Sequence, residues 1–133
     1  MSEADELALR ARRFAVRAIK FVRSLPRSPA MDPVSRQLAA AATSQSANYR
    51  AARRARSRAE FVAKIGIVAE EADEAEHWLE LVMESDSASG PELDWLLAES
   101  RELRAIFVAS ATTARANHRH AARSAPARRS LDP

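Results

Sequence analysis

Five arginines fall within nine residues, at Arg50, Arg53, Arg54, Arg56 and Arg58, and Tyr49 stands directly before them. A guanidinium is planar, permanently charged and donates hydrogen bonds in pairs, which matches the shape of a phosphate. Several such contacts on one polyanion also release condensed counterions. The chemistry open to this cluster is therefore recognition of RNA or single-stranded DNA, with Tyr49 available to stack on a base. Tyr49 has a second reading, as an amphipathic ring packed at a helix corner. The arginines have one too: pairing with the acidic run Glu70–Glu76, in the same subunit or in an adjacent one. Under that reading the protein is a protein-only adaptor whose basic and acidic faces form subunit or partner contacts. Exposed arginines and salt-sensitive binding favour nucleic acid; arginines consumed in ion pairs favour the adaptor.

Catalytic chemistry has little to stand on. Glu74-Ala75-Glu76-His77 has the Glu-x-x-His spacing of di-iron helical bundles. Such a site needs a second copy and two further inward carboxylates, and beyond His77 there is no histidine until His118. At 100° per residue, His77 also lies about 140° from the apolar seam of its own helix, so it is expected to face outward. There is no cysteine for a disulfide or a thiolate site, and no glycine-rich phosphate loop. Ser44 and Ser46 have no histidine nearby to activate them. The expectation is a non-enzymatic protein without metal or cofactor.

The elements that must position the arginines are helices. With 133 residues, two glycines and abundant Ala, Leu, Arg and Glu, the chain reads as one all-α domain. A first helix, about 3–24, carries Leu7, Ala11, Phe14, Ala18, Phe21 and Leu25 at alternating spacings of four and three. Leu25-Pro26-Arg27-Ser28-Pro29 ends it. Asp32 as N-cap and Pro33 at the first helical position start a second, about 33–54. Its seam is Val34, Leu38, Ala41, Gln45, Asn48 and Ala52. Ser44, Gln45 and Asn48 read as interior polar groups, each needing a partner if buried.

Ser57-Arg58-Ala59-Glu60 has the form of a capping box for a third helix, about 57–84, with Phe61, Ile65, Val68, Ala72, Ala75, Leu79 and Val82 as its seam. After the loop Ser85–Gly90, Pro91 begins a fourth, about 91–117, with Leu93, Leu96, Ser100, Leu103, Phe107, Ser110 and Ala114. The predicted architecture is an up-down-up-down four-helix bundle over 1–118. Residues 119–133, basic and without apolar periodicity, are expected to form a short disordered tail. The arginine cluster then lies at the corner between the second and third helices.

Net charge is +3, but residues 1–58 carry thirteen Arg or Lys against four acids, residues 59–100 one Lys against twelve acids, and residues 101–133 seven Arg against two. Such asymmetry gives the folded object oppositely charged surfaces, or else neighbouring helices that neutralise each other. Ile67, Trp78 and Leu81 form a second apolar stripe beside the third-helix seam, and Gly66 lies among them. A wider groove within the chain or a second subunit would account for the stripe. A glycine inside a helix costs about 1 kcal/mol relative to alanine and commonly lets another backbone approach. No apolar run approaches the span of a bilayer, and the acidic start Met1–Glu6 lacks the apolar core of a secretion signal, so a cytoplasmic location is expected.

A family pattern runs through these same segments. Ser35-Arg36-Gln37-Leu38, Ala41-Ala42-Thr43-Ser44, Ala47–Ala52 and Arg54–Phe61 closely resemble the small bacterial four-helix bundles called 23S ribosomal RNA intervening-sequence proteins. The resemblance continues through Lys64–Val68, Glu70–Glu74 and Trp78–Leu81 to Ala105–Ser110, and covers roughly residues 7–118. Many members have Ala-Glu-Gly where this chain has Arg50-Ala51-Ala52, which makes the corner here more basic. The resemblance implies a homo-oligomer, with a pentameric ring as the expected form, and no enzymatic activity. A related branch serves as accessory protein to the reverse transcriptases of diversity-generating retroelements, engaging polymerase and nucleic acid.

Overall fold

Each helix owes its limits to local chemistry. In the computed structural model, which describes residues 1–124, α1 spans Glu3–Ser24, α2 Met31–Arg53, α3 Arg58–Glu84 and α4 Pro91–Ser124. Ser2 and Asp5 form a reciprocal capping box at the start of α1, the Asp5 amide donating to Ser2 Oγ at 3.1 Å and the Ser2 amide to Asp5 Oδ2 at 3.0 Å. α2 begins two residues earlier than the Asp32-Pro33 signal predicts. Ser28 supplies the capping oxygen, accepting from the Met31 amide at 3.0 Å, while Asp32 reaches back to the Ser28 amide at 3.3 Å. At the start of α3 only half of the expected box closes: Ser57 Oγ accepts from the Glu60 amide, but Glu60 turns to the amide of Arg56.

The α3 terminus is a Schellman closure, with the Ser87 amide on the Val82 carbonyl and the Asp86 amide on that of Met83. Asp86 takes the left-handed conformation this requires, at φ 55°. At the other end of the chain, α4 runs to Ser124, beyond the expected limit of 117. Residues 119–124 are thus helical rather than a disordered tail, and the rest of that tail, 125–133, lies outside the described residues. Ala and Arg, plentiful here, suffice to continue a helix that no longer has a seam to bury.

Packing is between sequence neighbours, α1 on α2, α2 on α3 and α3 on α4, with α1 and α4 closing the bundle. This is the up-down-up-down arrangement, with α1 diagonal to α3 and α2 diagonal to α4. The expected seams form the core: Phe14, Leu38, Ile65, Val68, Leu79, Val82, Leu96, Leu103 and Phe107 are all fully buried.

The closing α1/α4 edge is polar. Arg10 forks onto Glu99 (Nη2–Oε1 2.5 Å, Nε–Oε2 3.2 Å), and seven residues further Arg17 forks onto Glu92 (2.7 and 2.9 Å). The Arg17 guanidinium also lies 3.4 Å over the Trp95 ring. Part of the charge asymmetry is therefore neutralisation between neighbouring helices. Two bidentate pairs one heptad apart fix the antiparallel register of these helices more narrowly than apolar contacts alone would.

Gln45 is buried at the centre of the bundle, and neither its amide nitrogen nor its oxygen has a hydrogen-bond partner among the described residues. Ser100 is buried without a partner for its hydroxyl as well. A buried unpaired amide costs about 1–3 kcal/mol, and methionine fills nearly the same volume. Gln45→Met is expected to raise the melting temperature by several degrees. A lower melting temperature in calorimetry would mean the amide finds a partner in the native protein.

Candidate nucleic-acid interface

Tyr49 and Ala52 plug the last turn of α2 into the core, and this anchors the corner. The Tyr49 ring is only 7% exposed and meets Phe107 at 5.1 Å between centroids, tilted by 52°. Burial also pushes its hydroxyl above the ordinary phenol range. Tyr49 is thus a corner-packing ring. It presents no free face to a base, which corrects its candidacy as a stacking group.

Tyr49 turns inward while all five arginines are exposed, Arg53 among them although it lies four residues on along nearly the same helix face. Arg53 is engaged, its Nη2 meeting Asp5 Oδ1 at 2.5 Å. That bond, followed by those from Ser2, holds the Asp5 carboxyl down to about 2. The ion pairs among the described residues otherwise involve Arg10, Arg17, Arg27, Arg101 and Arg104. Arg50, Arg54, Arg56 and Arg58 have no carboxylate partner there. The acidic run does not reach them; its Glu76 is taken by Arg101 and Arg104 of α4.

The cluster divides into two groups. Arg50, Arg53 and Arg54 line a groove of about 610 Å³ between α1 and α2, joined by Arg12 and by the apolar side chains of Met1 and Leu9. Arg58 instead lines a groove of about 400 Å³ between the start of α3 and the end of α4, with Phe61, Asn117 and His120. Arg56 is exposed on the turn between them. Arg115 on α4, and Arg119 and Arg123 on its continuation, add exposed charge at the same end. Arg12 and the α4 arginines could not be attached to the corner without the helix pairing, which spacing along one helix does not specify.

The expected interface residues behave differently from one another. Ile67 is exposed at 36%, beside a half-buried Gly66 where an added Cβ would meet nothing within 4 Å. Leu81 is half-buried. Trp78 is half-buried against the chain's own core, and its indole N–H donates to Glu74 Oε1 at 3.2 Å. The second stripe therefore divides: Trp78 belongs in part to a wider intramolecular groove, while Ile67 and Gly66 face outward.

Sequence reading missed a second apolar stripe on α1, where Leu9, Val16 and Ile19 are exposed at 47, 44 and 38%. Its signal was present as the spacing 9-16-19, offset from the buried seam. Exposed Arg12, Arg13, Lys20 and Arg23 flank this stripe, whereas Glu70, Asp73 and His77 are exposed near Ile67. Crowding is evident on that acidic face, where burial first, and then Glu74 and Glu70, push the Glu71 carboxyl above its ordinary range. The two apolar faces lie on diagonal helices and carry opposite charge.

The Glu-x-x-His pair is otherwise occupied. Glu74 accepts from Trp78, and His77 is exposed with its ring edge-on to Trp78 at 5.0 Å. Among the described residues no three His, Cys, Asp or Glu side chains gather as a metal site would need. Ser44 Oγ accepts from Asn48 Nδ2 at 2.9 Å, a local bond within α2. No described helix is long and apolar enough to cross a membrane.

The family model described as 23S rRNA-intervening sequence protein matches residues 5–109. A crystal structure of a protein with unknown function from the S23 ribosomal protein family, from Bacteroides thetaiotaomicron VPI-5482, superposes with a TM-score of 0.71 at 28% identity. The match covers 79% of this chain and 97% of that one. No curated protein matches.

Proposed function

The chain belongs to the 23S rRNA-intervening sequence protein family, and on that footing we propose that it is a non-enzymatic scaffold that assembles with copies of itself and binds RNA or single-stranded DNA. The observation that carries this reading is the exposure of Arg50, Arg54, Arg56 and Arg58 at one corner with no carboxylate partner among the described residues. Guanidiniums gathered on one surface without counter-charges repel one another, and a polyanion relieves that repulsion while releasing counterions. A cytoplasmic location accords with a nucleic-acid role.

Assembly is supported by the two exposed apolar faces. A head-to-tail ring needs two different complementary patches on each subunit. The basic α1 stripe at Val16 and Ile19 and the acidic α3 face at Ile67 are such patches, while Leu9 borders the arginine groove. The pentamer is the ring that the family resemblance implies, and opposite charges would fix its orientation.

Anisotropy of labelled single-stranded RNA and DNA across a salt series tests the first half. Binding that weakens steeply with salt is expected. No binding at low salt would reject nucleic acid and return the corner to the adaptor reading, in which the ring presents it to a protein partner. The mass in solution tests the second half, and a single-chain mass at tens of micromolar (the order of affinity of modest interfaces) would reject the ring.

Gly66 connects stability with assembly. Nothing within the chain opposes a methyl group there, so Gly66→Ala is expected to stabilise the isolated helix by up to about 1 kcal/mol. If a neighbouring subunit approaches at this point, the same change weakens the ring. A higher melting temperature together with a smaller mass in solution is the expected result, and an unchanged mass would remove Gly66 from the interface.

A further inference from the structure

A different aromatic side chain near the arginine corner is only partly buried. Phe61 sits in the first turn of α3, packed on one side against the core. With Ala114 and Asn117 it is shared by two adjoining grooves, each of about 400 Å³, along α4. The α4 residues opposite it are mostly small, Ala109, Ser110, Thr113 and Ala114, so the ring borders a shallow slot, open to solvent, rather than a filled contact. Arg58 lies three residues before Phe61 and Asn117 three before His120, which puts each pair on one helix face.

Resting on the nucleic-acid reading above, we infer that this slot holds one unpaired nucleobase of the bound strand. The base lies against Phe61, its edge meets the Asn117 amide, and the adjoining phosphate meets Arg58. Stacking on an aromatic ring accepts any base, because every base has a π-face. An amide offers both donors and an acceptor, as base edges require. The neighbouring guanidinium supplies the charge complementarity that a purely apolar slot would lack. From Arg58 the strand continues over Arg56 to Arg54 and the α1/α2 groove, so the two halves of the arginine cluster serve one path.

The experiment compares a short labelled strand carrying bases with an abasic strand of equal length and charge, using the full chain. Wild-type protein is expected to bind the base-bearing strand more tightly by about 5- to 150-fold, the range found for single stacked bases. Phe61→Leu should remove most of that difference and leave abasic binding unchanged, while Phe61→Trp should preserve it. Thermal unfolding confirms that each variant is folded. Equal binding of both strands by the wild type would overturn the slot and leave the arginine corner standing. A Phe61→Leu variant that weakens both strands alike would make the ring structural and overturn it too. Binding of neither strand would overturn the nucleic-acid reading itself, and the slot with it.

Discussion

Replacing Arg50, Arg54, Arg56 and Arg58 together with alanine is expected to abolish most of the salt dependence of nucleic-acid binding. Each phosphate contact on a single strand contributes about 0.7 to the slope of log affinity against log salt. Four such contacts give about 2.8, equivalent to roughly 50-fold weaker binding across a fourfold rise in salt. The variant should therefore bind weakly at low salt and change little as salt rises. Its fold should survive, because all four side chains are exposed and none forms an ion pair among the described residues. Arg53 stays in place because Asp5 already holds it. Arg36, exposed on α2 far along the chain from the corner, serves as a control for charge alone, and Arg36→Ala should leave the slope nearly unchanged. A loss of slope from Arg36→Ala about one quarter of that from the four together would mean that attraction is diffuse and that the corner is no site.

The helices were legible because their chemistry is local. The α3 seam from Ile65 to Val82 is buried at every expected position, and that of α1 from Ala11 to Leu25 likewise. Four-three spacing on an amphipathic helix has few other solutions. What was less legible depends on which helices meet. Arg10 and Glu99 are 89 residues apart in the chain, and nothing in either segment names the other. The same holds for Arg53 and Asp5, so exposure of the corner arginines could be posed as a question but not answered.

Tyr49 shows how a neighbour's identity decides a role. Its sequence position suits both a stacking group and a packed corner, and Phe107 decides for packing. Phe61 is a seam residue by its spacing and packs as one, but the small side chains of α4 leave it only partly buried. The extension of α4 to Ser124 was missed for another reason. Apolar periodicity reports burial, and a helix that projects past its packed seam carries none.

Phe107→Ala is expected to be the most damaging single change to stability, because Phe107 joins the core to the corner. Its side chain is fully buried, and removing it costs about 3–5 kcal/mol through lost burial and the cavity left behind. Against a typical total of about 5–15 kcal/mol, that is a large share. The melting temperature should fall on the order of 15 °C, measured at one fixed protein concentration because the proposed assembly would also stabilise the fold. The effect is not uniform along the chain. Tyr49 loses the ring it packs against, and Tyr49 is what seats the last turn of α2. Amide exchange should therefore accelerate first over Gln45–Arg54, before the middle of α3 opens. Uniform acceleration throughout the bundle would show that the corner has no separate stability, and that Phe107 supports the core without specifically positioning the arginines.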